Sequence, residues 1–186
     1  MVTIPQLWLP ILLSAVIVFF ASWFIHMLLP LHRKDFAPVP SESEAQEALR
    51  KFQIPPGDYM MPYCENPQHM KNPEMMEKFK RGPVLVMTVV KSGAMNMGGR
   101  LLQWFIYLIV VSVFAAYIAS RAVPAGAPYL QVFRFAGATA FIAYSLGLWQ
   151  DSIWYKRKWS TTIQNTIDGL VYGMLTAGVF GWLWPR

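Results

Sequence analysis

Four long hydrophobic segments dominate this chain of 186 residues and constrain its fold more than any other feature. They run through residues 7–29, 101–120, 129–149 and 166–184. A helix of about 20 residues crosses the ~30 Å hydrocarbon core of a bilayer, and each segment is about that long. Backbone groups in that core are satisfied only in a helix or a closed barrel, and these segments lack the alternation of barrel strands. The sequence therefore predicts four transmembrane helices.

The composition agrees with a membrane protein. Hydrophobic residues make up 55% of the chain and charged residues only 14%, whereas soluble domains contain about 25% charged residues. No basic residue precedes the first segment and no A-x-A motif follows it, so we expect a membrane helix there and not a cleavable signal peptide. The expected fold class is all-α transmembrane, a four-helix membrane bundle with a small α+β cytoplasmic insertion between its first two helices.

The distribution of Lys and Arg predicts the orientation, because these residues accumulate in cytoplasmic loops. Ten of the 16 lie between residues 31 and 100, and three more lie in the basic loop 150–165. We therefore expect these two segments to be cytoplasmic and both termini to be periplasmic. Because the basic residues lie where this rule places them, we attribute the net charge of +6 to membrane topology and not to nucleic-acid binding.

The insertion, residues 31–99, has signals for helices and strands. Ser41 and Glu44 have the spacing of a capping box at the start of a short helix. Pro73 is placed as the first residue of a second helix. The β-branched run 84–90 predicts a strand, and residues 58–63 are expected to pair with it. We therefore expect a small α+β module with little core of its own.

Three ionisable residues fall inside the hydrophobic segments, and such residues are functional candidates by default. His26 lies near the end of the first segment, and the long side chain of Arg134 can reach the nearby interface. Asp168 is placed in the first turn of the fourth helix, where the helix dipole stabilises a carboxylate. A structural role is therefore expected for all three. None lies at the membrane midplane, so a proton relay is not indicated. A haem held by two histidines is not indicated either, because it would need a second intramembrane His.

The insertion contains one weak group of candidate metal ligands, Cys64, His69 and Met70. Sulfur ligands suit copper(I) or zinc, but one Cys and one His supply only half of a zinc site. No nucleophile, zinc-protease, phosphate-loop or dinucleotide motif is present. Asp151 and Asp168 flank the basic loop without an accompanying His. We therefore expect no metal, no cofactor and no catalytic residues.

The fourth segment has a ridge of small residues, spaced by four, at Gly169, Gly173, Ala177 and Gly181. Such ridges allow close approach of two helix backbones in lipid. The ridge must therefore be covered by another helix, which belongs either to this chain or to a partner subunit.

Several stretches resemble a group of small four-pass bacterial inner-membrane proteins with no assigned activity. They are D-S-I-W at 151–154, the run from Asp168 to Pro185, G-D-Y-M-M-P at 57–62 and K-R-G-P at 80–83. The resemblance implies a bacterial inner membrane and implies no particular activity.

These observations favour a non-catalytic integral membrane protein, an accessory or assembly subunit of a larger membrane complex. The expected partners are the lipid bilayer and either other membrane subunits or further copies of this chain, with no nucleic acid. The alternatives are a small oligomeric transporter or channel, using Arg134 or Asp168, and, more distantly, a lipid-modifying enzyme. A polar cavity near Asp151, Asp168 and His26 is what the last alternative requires.

Overall fold

A computed structural model of the chain, which describes residues 2–186, is mostly helical. The helices are α1 (Trp8–Trp23), α2 (Glu42–Arg50), α3 (Pro73–Arg81), α4 (Met97–Ala122), α5 (Tyr129–Ser145), α6 (Trp149–Trp154) and α7 (Trp159–Trp182), and the strands are β1 (Gly57–Met61) and β2 (Leu85–Val89). The chain divides into two compact units. One comprises the residues up to Phe36 together with Asn96–Arg186, and the other comprises Ala37–Met95.

Three helical stretches are long and apolar enough to cross a membrane, namely Ile4–Leu28, Met97–Ala122 and Tyr129–Trp154. These correspond to the first three predicted spans. The fourth predicted span is not confirmed, because α7 is not among the helices apolar enough to qualify. The polar side chains in its first half, including Gln164, Asn165 and Asp168, lower its mean hydropathy.

Helices α1, α4, α5 and α7 pack together around a core of small and medium side chains. One buried cluster contains Leu7, Ala115, Ala119, Val132 and Phe180, and a second contains Val18, Leu108, Val111, Ala140 and Tyr172. The buried hydroxyls of Ser14 on α1 and Ser112 on α4 lie 3.0 Å apart and form a hydrogen bond. Small residues let the helices approach closely, and the serine pair links two of them inside the apolar core.

The small-residue ridge of α7 is covered by α5. A side chain at Gly169 would meet Ser145, one at Gly173 would meet Phe141, and one at Gly181 would meet Tyr129. Residue numbers rise along α7 as they fall along α5, so the two helices are antiparallel. The helix that covers the ridge therefore belongs to this chain and not to a partner subunit.

Helix α7 begins at Trp159, seven residues before the predicted start at residue 166. Asp168 is therefore its tenth residue, and the expectation that it lies in the first turn is wrong. The early turns of α7 are polar in sequence, but Thr161 and Thr162 are buried in the bundle. The Thr162 hydroxyl forms a 2.6 Å hydrogen bond with Ser152 on α6. These tertiary contacts stabilise a helix start that local hydrophobicity does not indicate.

The unit formed by residues 37–95 contains a two-stranded antiparallel sheet in which Gly57 pairs with Val89 and Met61 with Leu85. Pro73 is the first residue of α3, as expected. The expected capping box at Ser41 is not formed, because Ser41 adopts a left-handed conformation with φ of 49° and makes no capping hydrogen bond. None of the residues of this unit, all of which the structure describes, is buried. The unit therefore has no buried core of its own.

Candidate functional site

Three polar side chains meet at one end of the helix bundle and form what we call the His–Asp cluster, His26, His32 and Asp168. Their ligand atoms all lie within 4.8 Å of one another. His32 Nε2 lies 2.9 Å from Asp168 Oδ2, and His26 Nε2 lies 4.0 Å from the same oxygen. The centroids of the two imidazole rings lie 4.1 Å apart, and the ring planes are tilted by 38°. The cluster thus joins residues from the beginning and the end of the chain.

A break at the end of the first candidate membrane span, Ile4–Leu28, brings His32 back beside His26. The last turn of this helix, Phe24–Leu28, is π-helical, and Leu29 is extended with ψ of 141°. Pro30 then begins a short 3₁₀ helix that ends at Lys34. Because Leu29 changes the direction of the backbone, His32 does not continue the line of α1. The Leu31 carbonyl accepts a 3.2 Å hydrogen bond from Gln164 Nε2, which holds this segment against α7.

Asp35 fixes the orientation of the His32 ring. Its Oδ2 atom lies 2.9 Å from His32 Nδ1, in hydrogen-bond geometry. A carboxylate accepts hydrogen bonds, so Nδ1 is the donor in this pair. The other ring nitrogen, Nε2, is the one that lies near Asp168.

Asp168 is buried, with only 6% of its surface exposed. A buried carboxylate needs a partner, because transfer of an unpaired charge into an apolar environment costs several kcal/mol or more. His32 and His26 are the partners nearest to it, at the distances given above. Asp168 is therefore part of a polar cluster, and not the helix-end residue that the sequence indicated.

A cavity of about 390 Å³ adjoins the cluster. Its walls are largely aromatic and include Trp104, Tyr107, Tyr144 and Tyr172, while His26 and Asp168 supply charged or polar atoms. We call it the aromatic cavity. Among the described residues, no hydrogen-bond partner is found for the buried Tyr172 hydroxyl. The volume lies within the usual 300–1,000 Å³ of small-molecule sites, which combine apolar walls with a few convergent polar groups.

An apolar surface groove of about 260 Å³ adjoins the aromatic cavity, and both are lined by His26 and Trp104. We call it the α1–α4 groove, because its other walls come from these helices and include Phe19, Trp23 and Leu101. The Trp104 indole donates a 2.9 Å hydrogen bond to the Ser22 hydroxyl and so holds its ring between groove and cavity. The groove belongs to two helices that are apolar enough to span a membrane.

The other residues considered in the sequence lie elsewhere. Arg134 is exposed on α5, where it lines a separate groove with Phe133. It is ten residues from Tyr144, or about 15 Å along a helix. Asp151 does not line the aromatic cavity, and its carboxylate lies 3.7 Å from Arg157.

The weak metal candidates of the insertion are not part of the group of His, Cys and carboxylate ligands that the structure brings together in the part of the chain it describes. The group of metal-ligating side chains found among residues 2–186 is the His–Asp cluster, which includes neither Cys64 nor His69. The Cys64 thiol donates instead to the Asn66 carbonyl at 3.0 Å.

His32 is the site residue that sequence reasoning missed. It lies three residues beyond the predicted end of the first membrane segment, where a His is expected to be an ordinary loop residue. The available signal was local, since Pro30 breaks the helix and places His32 and Asp35 within a short distance of His26. Its contact with Asp168 depends on the tertiary fold.

Comparison of the chain with protein-family models, with curated protein sequences and with solved structures found no match.

Proposed function

We propose that this chain is an integral membrane protein that binds an amphiphilic molecule, with a polar head and a hydrocarbon chain. The observation that supports the proposal is that the aromatic cavity and the α1–α4 groove lie side by side and share two lining residues, His26 and Trp104. A hydrocarbon chain fits the groove, where Phe19, Trp23 and Leu101 offer apolar contacts. The polar head then reaches the cavity.

The chemistry of the cavity suits such a head group. Tyrosine hydroxyls, a carboxylate and an imidazole supply both donors and acceptors. Tyr144, Tyr172 and Asp168 are buried, and a buried polar group gains by forming a hydrogen bond with a ligand. The Tyr172 hydroxyl and the Asp168 carboxylate are the groups best placed to recognise it.

The proposal includes a fourth membrane crossing by α7. This helix has 24 residues, which corresponds to about 36 Å, enough for a hydrocarbon core of ~30 Å. It packs antiparallel to α5, which is part of a candidate span, from Gly181 beside Tyr129 to Gly169 beside Ser145. A helix that accompanies a membrane span over this length crosses with it. Its polar side chains are tolerated because several of them, including Thr162, Asp168 and Thr176, are buried in the bundle.

The proposed location is a bacterial inner membrane, with both termini periplasmic and residues 31–100 and 150–165 cytoplasmic. The support is the unequal distribution of Lys and Arg and the resemblance described above. The His–Asp cluster then lies at the cytoplasmic end of the bundle, because Lys34 and Lys158 flank the helices that form it.

Photochemical labelling tests the proposed binding. The purified protein is placed in lipid nanodiscs with a small amount of a fatty acid that bears a diazirine on its chain. We expect labelling to saturate near one probe per chain and to map to peptides of α1 and α4 around Trp23 and Leu101. Excess unlabelled fatty acid should compete with the probe.

A pair of variants provides the matched control. Leu101→Trp fills the α1–α4 groove and should reduce labelling at least fivefold. Met174→Trp places the same bulk in the groove beside Phe133 and should leave labelling unchanged. Labelling that is spread evenly over all lipid-facing helices, or that Leu101→Trp does not reduce, would contradict the proposal.

An accessory subunit of a larger complex is a second candidate function. The small-residue ridge of α7 no longer supports this function, because α5 of the same chain covers it. The unit of residues 37–95 supports it more strongly than the sequence did, because this unit lacks a buried core. It also exposes large apolar side chains, such as Phe52 at 73% and Tyr63 at 71%. Purification in mild detergent followed by mass spectrometry tests it, and a monomer without any co-purifying membrane protein would contradict it.

The other two expectations also remain proposals. A small transporter or channel, using Arg134 for an anion or Asp168 for a cation, has less support, because Arg134 lines an otherwise apolar groove and Asp168 is buried beside His32. A lipid-modifying enzyme gains support from the cavity at His26 and Asp168, although Asp151 is not part of it.

A further inference from the structure

The contact between His32 and Asp168 has an unusual geometry. Nε2 and Oδ2 are 2.9 Å apart, which is a hydrogen-bond distance. Yet both atoms are buried, and the angles of the contact do not meet those of a hydrogen bond to any partner among the described residues. The two atoms are close without being directed at each other, as are two ligands that face a common third atom.

The hydrogen bond to Asp35 bears on this contact. His32 Nδ1 donates to Asp35, so in the neutral ring Nε2 has a lone pair and no proton. A lone pair and an anionic oxygen repel each other at this distance. A cation between them removes the repulsion, and it is either a proton, on Nε2 or on Oδ2, or a metal ion.

We propose that His26, His32 and Asp168 bind a divalent transition-metal ion, with Zn²⁺ as the preferred ion. The site shares His26 and Asp168 with the aromatic cavity, but the three ligands can bind the ion without the proposed amphiphile. Two imidazole nitrogens and one carboxylate oxygen form a ligand set that is typical of open zinc sites, which retain a further position for water or substrate. Mg²⁺ and Ca²⁺ prefer oxygen ligands, and zinc binds such sites more tightly than Mn²⁺ or Fe²⁺.

The surroundings of the three ligands match those of known metal sites. Metal-bound His residues usually donate their other ring N–H group to a carboxylate, as His32 does to Asp35. The residues come from three segments, the last turn of the first membrane helix, the Pro30–Lys34 turn and α7, so the fold and not a local motif assembles them. Because His26 and Asp168 also line the aromatic cavity, an ion held by them would adjoin that cavity.

Binding requires a small movement of His26. Ligand atoms on opposite sides of a zinc ion are separated by about 4.1 Å at most, given Zn–N distances of about 2.0–2.1 Å. Here all the ligand atoms lie within 4.8 Å of one another, and His26 Nε2 is 4.0 Å from Asp168 Oδ2. The side chain of His26 is 40% exposed, while that of His32 is only 10% exposed. His26 is therefore the ligand that is free to close on the ion.

Metal binding to the purified, untagged protein tests the proposal. The protein in detergent is treated with EDTA, separated from it, and titrated with ZnCl₂ against a chromophoric chelator, without added fatty acid. We expect one Zn²⁺ per chain. His32→Gln and Asp168→Asn should each weaken binding at least tenfold, and Asp35→Asn should weaken it about 10- to 100-fold.

Two sets of controls separate this site from others. Cys64→Ser and His69→Gln remove the ligands of the insertion and should leave the stoichiometry and affinity unchanged. Leu101→Trp, which blocks the α1–α4 groove, should also retain zinc, so failure of amphiphile binding and failure of metal binding are distinguishable. Substitution with Co²⁺ gives a visible absorption spectrum that reports nitrogen and oxygen ligation, and this spectrum should change in His26→Gln.

Three results would overturn the proposal. The first is a wild-type stoichiometry well below one. The second is zinc binding that survives both His32→Gln and Asp168→Asn. The third is zinc binding that disappears in Cys64→Ser or His69→Gln. Size-exclusion profiles of each variant establish that it is folded, and the wild-type stoichiometry decides the matter even if a variant is not.

Discussion

At the scale of single residues, the site depends on a helix break. Leu29 and Pro30 end the first candidate membrane span, and the chain returns His32 to the neighbourhood of His26. A continuous helix would carry His32 about 9 Å beyond His26 along its axis. The same break places Asp35 where it orients the His32 ring.

Glycine at position 169 is required by the close approach of α5 and α7. A Cβ atom at this position would fall well inside van der Waals contact with Ser145 Oγ and 3.1 Å from Tyr144 Cβ. We expect Gly169→Ala to lower the free energy of unfolding by about 1–3 kcal/mol, as overpacking of a tight interface does. Unfolding in detergent, followed by tryptophan fluorescence, measures the change.

Two further variants control this prediction. Ser145→Ala removes the nearest obstructing atom and should recover part of the stability when combined with Gly169→Ala. Gly147→Ala adds the same methyl group where no atom lies within 4 Å and should have little effect. Equal effects of Gly169→Ala and Gly147→Ala would refute the close approach.

At the scale of elements, the apolar membrane segments could be predicted from the sequence and the start of α7 could not. Long hydrophobic runs identify helices such as α4 because lipid contact requires apolar side chains along their length. The early turns of α7 contain Thr161 and Thr162, which are helical and buried because of contacts with α6. Tertiary packing decides such a segment, and no local pattern reveals it.

The site was predictable only in part for the same reason. His26 and Asp168 stand out in the sequence because they are ionisable residues in apolar segments. His32 does not stand out, since it follows the segment. The pairing of His32 with Asp168 requires α1 and α7 to lie side by side at the same end of the bundle.

The crossing of the membrane by α7 gives the second prediction. Ser160 and Arg186 lie near its two ends, and both are exposed. In a Cys64→Ser background, Ser160→Cys and Arg186→Cys should react with a membrane-impermeant maleimide from opposite sides of the membrane. As a control, the same maleimide is added to permeabilised cells, where it should label both thiols. Labelling of both positions from one side would mean that α7 does not cross.

At the scale of the whole molecule, the proposed orientation places the insertion in the cytoplasm. The wild-type chain has one cysteine, Cys64, which lies in this insertion and is half-buried. We therefore expect an impermeant maleimide to label wild-type protein only in inverted membrane vesicles, on the same side as Ser160→Cys. Labelling in intact spheroplasts would reverse the orientation that the Lys and Arg distribution predicts.

The account as a whole rests on α5 of the same chain covering α7, because this contact places Asp168 at the His–Asp cluster. The most direct test is a disulfide between Ser145→Cys and Gly169→Cys in a Cys64→Ser background. A Cβ atom at Gly169 lies 3.2 Å from Ser145 Cβ, near the spacing of a disulfide, which is about 3.5–4.5 Å.

Trypsin cleaves between the two positions, at Lys156 to Lys158, so mass spectrometry can identify the linked pair of peptides 135–156 and 159–186. We predict that this linked pair forms in protein that migrates as a monomer on a non-reducing gel. A disulfide found only in dimers, or none in folded protein, would show that α7 packs against a partner and would contradict the account.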